Sequence, residues 1–126
     1  LFGAFVSFAT GSSWGTFAIM MPLAIPMAYA FNIPYAIAAG AVLSGGLFGD
    51  HCSPISDTTI LSSTGAECEL VEHVKTQLPY AVVNGVIAFA CYILVGFTYS
   101  PLVVLLAVAL QTAVILAWNR MDVKKV

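Results

Sequence analysis

Residues 45–59 read GGLFGDHCSPISDTT, and this stretch decides how the rest of the chain is understood. An apolar run, residues 35–49, leads straight into two aspartates seven positions apart, a histidine, and hydroxyls at Ser53, Ser56, Thr58 and Thr59. Pro54 stands between the aspartates; it lacks an N–H and clashes with a preceding helical turn, so a regular helix is not expected to continue through it. Gly45, Gly46 and Gly49 would let another backbone come close.

The surroundings are apolar. Of 126 residues, 60% are hydrophobic and 8% charged, with a mean hydropathy of +0.97, against about 25% charged residues in an ordinary soluble domain. A soluble domain of this size cannot hide so much apolar surface, so lipid is the expected solvent. The net charge of −2 gives no footprint for nucleic acid. Leu1 opens inside an apolar run, which reads as the interior of a longer chain. Cys52, Cys68 and Cys91 match no zinc or redox spacing and read as free thiols.

The expected fold is an all-α polytopic membrane protein with discontinuous transmembrane helices and a helical hairpin. Residues 80–97 and 101–118 each suit a span of about 20 residues and would form that hairpin. Residues 1–31 and 35–64 are apolar pieces joined across polar breaks, TGSSWGT at 10–16 and DHCSPISDTT at 50–59. Each is read as one crossing with an interrupted helix, with the turn at 32–34. Residues 66–78, with Glu67, Glu69, Glu72, His73 and Lys75 beside Leu70, Val71, Val74 and Leu78, read as an amphipathic interfacial helix. Pro79 is expected to kink the chain into the next span. Arg120, Lys124 and Lys125 in the tail, residues 119–126, place the C-terminus in the cytoplasm.

Irregular backbone at membrane depth persists only where protein buries it or a wet cavity meets it. Two interrupted apolar segments close in sequence therefore point to a transport site. Hard cations take oxygen ligands. Asp50, His51, Ser53, Ser56, Asp57 and Thr58 are the candidates in one break; Thr10, Ser12, Ser13 and Thr16 add neutral oxygens from the other. Trp14 reads equally as a plug or as packing. Asp57 also suits a helix N-cap, His51 a plain hydrogen bond, and the first-break hydroxyls interhelical glue. Asp50 has no such structural role on offer, since a lone intramembrane carboxylate is costly. An intramembrane aspartyl protease is disfavoured because Leu47 breaks the GxGD pattern, and no enzymatic activity is expected. A membrane scaffold would not need two aspartates at this depth.

TGSSWGTFAIMMPLAIP at 10–26 and SGGLFGDHCSPISDTTILSSTGAECELVEHVKTQLPYA at 44–81 resemble the NhaC-type sodium/proton antiporter family, within the larger ion-transporter superfamily. The resemblance implies a multi-pass inner-membrane carrier exchanging Na⁺ for H⁺, with this region in the C-terminal half of an inverted-repeat transporter and the first repeat elsewhere in the same chain. It implies no cofactor, only transported Na⁺ and H⁺ competing at buried aspartates, with Na⁺ at Asp50 and Asp57. Some relatives exchange organic anions or amino acids, such as malate and lactate, which stands as the alternative. The implied partners are the lipid bilayer and the rest of the transporter chain; a homo-oligomer is left open.

Overall fold

The computed structural model describes residues 1–123, with side chains as far as Trp118. Six helices are described: α1 Phe2–Thr10, α2 Ser13–Ala30, α3 Tyr35–Cys52, α4 Asp57–Gly65, α5 Leu70–Thr98 and α6 Leu102–Val123. The chain divides into two compact units, Leu1–Gly85 and Val86–Val126.

The first unit is built on α3, against which both α1 and α2 pack. The direction of each follows from its close approaches. A Cβ on Gly45 would lie 3.5 Å from Ala4 N, and one on Gly49 would run into Ala4 O and lie 2.9 Å from Phe8 N. Ser53 Oγ donates to Phe8 O at 2.8 Å. Numbers rise together, so α1 is parallel to α3. Phe17 lies against Gly46, while Met27, Ala28 and Phe31 share an apolar cavity of about 380 Å³ with Ile37 and Ala38, so α2 is antiparallel to α3.

The single interrupted crossing expected over residues 1–31 is therefore corrected to a helical hairpin. Its cause is local. Gly11, at φ 66°, ends α1 in the left-handed conformation and donates its N–H to Ser7 O at 2.8 Å. Ser12 follows at once as the N-cap of α2, extended, its Oγ accepting from Gly15 N at 3.3 Å. A C-terminal cap followed directly by an N-terminal cap reverses the chain in two residues. The interruption is thus narrower than residues 10–16, since Ser13 to Thr16 belong to α2.

The second interruption is narrower too, covering residues 53–56. Ser53 is extended at φ −83°, ψ 126°, as expected before Pro54, so α3 stops at Cys52. Asp50 belongs to its last turn, and Asp57 to the first turn of α4. Beyond α4, Glu67 has φ 53°. Residues 66–78 and 80–97 do not form separate helices: α5 starts at Leu70 and includes Pro79 without interruption. A proline removes one hydrogen bond, which the turns on either side of it outweigh. Lys75 and Glu72 pair at 2.7 Å on its exposed face.

Among the described helices, α5 is long and apolar enough to cross a membrane, and Leu102–Trp118 of α6 is a shorter apolar stretch. At 29 residues, α5 is about 43 Å long. The tail expected from residue 119 is helical to Val123; residues 124–126, and the basic side chains used to orient the C-terminus, lie outside the described residues.

Burial runs opposite to that of a soluble domain. Among the described residues the largest fully buried side chains are polar, Ser7, Thr16, Asp50, Ser53, Ser56 and Thr59, while Phe2, Phe5, Leu23, Phe97 and Leu105 are exposed. An apolar exterior of this extent needs a covering phase, and a polar interior needs internal partners.

Candidate functional site

The tip of the α1–α2 hairpin meets the gap between α3 and α4. Ser53 Oγ holds Phe8 O, in the last turn of α1. A Cβ on Gly11 would sit 2.6 Å from Ile55 O, so only glycine fits both the dihedral and the space there. Two helix C-termini, of α1 and α3, and two N-termini, of α2 and α4, thus gather in one region. Their end groups carry partial charges of both signs.

Asp50 lies at its centre, 1% exposed. Its Oδ1 accepts from Ser56 Oγ at 3.0 Å and its Oδ2 from Thr58 Oγ1 at 3.1 Å. The two hydroxyl oxygens are themselves 2.8 Å apart. These three contacts require three protons, but the hydroxyls supply one each. A protonated Asp50 supplies the third and closes a ring of three hydrogen bonds. An ionised Asp50 leaves one oxygen pair without a proton, and a bound cation can take that place. Ser56 is the N-cap residue of α4 by position, yet its hydroxyl serves Asp50 and makes no capping bond.

The structure brings together only part of the predicted set. Asp50, Ser56 and Thr58 form the cluster, and Ser53 fastens it to α1. Asp57 is exposed and its Oδ1 accepts from Thr58 N at 2.8 Å; it sits one residue inside α4 and not at the N-cap. His51 is exposed, its Nδ1 on Leu47 O at 2.9 Å, while its own carbonyl accepts from Gln77 Nε2 at 3.2 Å. In the hairpin, Thr10 and Thr16 bond back to Val6 O at 2.8 Å and Ser12 O at 2.9 Å. Ser13 is 7% exposed. Trp14 is exposed and edge-on to Phe17, ring centroids 5.9 Å apart. No group of three or more His, Cys, Asp and Glu that could hold a metal ion occurs among the described residues.

Sequence reading missed Ser7, which is wholly buried with no partner for its Oγ; Thr59 Oγ1, named among the hydroxyls of the second break but left out of the candidate ligands, is in the same condition. The available signal for Ser7 was its spacing of four from Gly3, the other buried residue of α1.

No solved structure matches the chain. An uncharacterized protein of Haemophilus influenzae is 52% identical over 116 residues, covering 90% of this chain and 22% of the relative. The malate-2H⁺/Na⁺-lactate antiporter of Bacillus subtilis is 38% identical, covering 75% of this chain and 20% of the relative. The Na⁺/H⁺ antiporter NhaC of Alkalihalophilus pseudofirmus is 36% identical, covering 72% and 20%. The chain therefore spans about a fifth of the length of the curated relatives it matches. The Na⁺/H⁺ antiporter family matches over residues 1–97, from the hairpin through the Asp50 cluster and most of α5, and to that family the chain belongs.

Proposed function

We propose that the chain is part of a membrane antiporter in which Na⁺ and H⁺ compete for the Asp50 cluster. The observation that carries this reading is the proton shortfall: three oxygen contacts around a buried carboxyl, with two hydroxyl protons to fill them. A proton on Asp50 completes the ring. A Na⁺ accepted by the same oxygens completes it differently, and the hydroxyls rotate to present lone pairs. One site that takes either ion, opened alternately to each side, suffices for exchange.

In this reading α3 and α4 are the halves of one broken crossing, α5 and α6 form an antiparallel spanning hairpin, and the α1–α2 hairpin enters the membrane without a full passage. The remaining sequence of the transporter supplies the first, inverted repeat. The protein sits in the plasma membrane with its C-terminus in the cytoplasm. Asp57, exposed and on the backbone of α4, adds charge near the site instead of sharing the proton.

The test is Na⁺-driven collapse of a pH gradient in vesicles bearing the full-length protein. Asp50→Asn is expected to reduce exchange to background and Asp57→Asn to weaken it severalfold. Full activity in both variants rejects the assignment.

A second reading is coupled exchange of organic ions. It is favoured by the resemblance to the malate/lactate antiporter and to the arginine/ornithine antiporter ArcD of Halobacterium salinarum, each 38% identical. Uptake of labelled malate or arginine that depends on a trans-side partner, with no response to Na⁺ alone, selects it.

A further inference from the structure

Six helical threonines of this chain share one habit, and among the described residues two buried hydroxyls, Ser7 and Thr59, are left with no bond at all. Thr10, Thr16, Thr64, Thr76, Thr98 and Thr112 each donate to the carbonyl four residues back. This is the ordinary way a helix in an apolar setting satisfies a hydroxyl. Ser7 lies inside α1, with Gly3 O available one turn before it, and does not make that bond. It is 0% exposed and its Oγ has no partner. A buried hydroxyl left in this way costs free energy unless something meets it.

The register of α1 on α3 locates it. A Cβ on Gly3 would lie 3.6 Å from Gly46 N and 3.7 Å from Val42 O. Ser7 is one turn further along α1, and the parallel packing moves its level on α3 by one turn as well, to the turn from Gly46 to Asp50. The close approach of Gly49 to Ala4 O and Phe8 N brackets the same position from both sides. Ser7 thus stands at the depth of Asp50, on the face of α1 that packs inward, beneath the hairpin tip.

We propose that Ser7 Oγ is a ligand of the transported cation, a neutral oxygen supplied by α1 opposite the Asp50, Ser56 and Thr58 oxygens. This rests on the reading of Asp50 as the cation site and adds a third element to it. Ser7 has no alternative bond to give up, so its lone pairs are free for a hard cation at no cost in helix hydrogen bonding.

Two substitutions in the full-length protein separate ligation from packing. Ser7→Ala removes the oxygen. Ser7→Cys keeps the bulk but offers soft sulfur, a poor ligand for Na⁺. Both are expected to raise the Na⁺ concentration for half-maximal exchange by about five- to tenfold, with the maximal rate within about twofold of wild type. The midpoint Na⁺ concentration for thermal stabilisation of purified protein, with K⁺ as the blank, should rise in parallel. A Cys variant that matches wild type while the Ala variant does not assigns Ser7 to packing and overturns the proposal. So does an unchanged Na⁺ dependence in both variants with Asp50→Asn inactive, which leaves the Asp50 reading standing. Wild-type protein that shows neither Na⁺ exchange nor Na⁺-dependent stabilisation overturns both.

Discussion

Asp50 is held by two hydroxyls that also touch each other, so neither acts alone. Ser56→Ala and Thr58→Val should each raise the half-saturating Na⁺ concentration about tenfold, the scale of one hydrogen bond to a charged group. The double variant should lose little more than either single one, because the ring is already open; additive losses measured in the exchange assay would mean that the hydroxyls act independently. Asp50, Ser56 and Thr58 stood among ten candidates in the sequence, because polar residues beside an apolar run have few explanations in lipid, but nothing there set Ser56 and Thr58 apart as the residues that touch Asp50. Nor was the place of Asp57 legible: two aspartates in one stretch look alike until the start of α4 is known, and a one-residue shift from cap to first turn sends the carboxylate to the backbone of Thr58. Ser7 was hidden by its ordinariness, since a lone serine in an apolar helix usually bonds back to its own turn.

At the level of elements, the helices and their polar interruptions could be read from Gly, Pro and Ser, but path and continuity could not. The stretch 10–16 looks the same in a straight interrupted helix and in a hairpin; the contacts of α1 at Gly45 and Gly49, set against those of α2 at Gly46 and around Ile37, distinguish the two. Pro79 misled in the other direction, because proline inside a long helix weakens one turn without ending it. The hairpin rests on Gly11. Gly11→Ala meets both a left-handed dihedral and the Ile55 carbonyl, and should cost about 1–3 kcal/mol, read as a lowered thermal midpoint of the purified full-length protein. Gly65→Ala is the contrast. Nothing lies within 4 Å of its added methyl, so its midpoint should stay within the shift of about 0.5 kcal/mol common for surface changes.

For the whole molecule, composition foretold the medium, and the inverted burial bears the same stamp: polar groups inside, large apolar side chains outside. The chain spans about a fifth of the length of its curated relatives, and the proposed carrier needs a second repeat to complete a path through the membrane. Residues 1–126 expressed alone should therefore give no Na⁺-dependent collapse of a pH gradient in vesicles where the full-length protein does. Exchange by the segment alone would place the entire pathway within it.

The two-residue reversal at Gly11–Ser12 also determines where the chain can be lengthened. Surface loops ordinarily absorb extra residues with little penalty. Here there is no slack. One side of the reversal is a helix cap, the other side is a helix cap, and Ile55 fills the space behind. A tag or fluorescent insert belongs in the 66–69 connection, whereas a single added residue at the hairpin tip would spread α1 from α2 and unfasten Ser53 from Phe8.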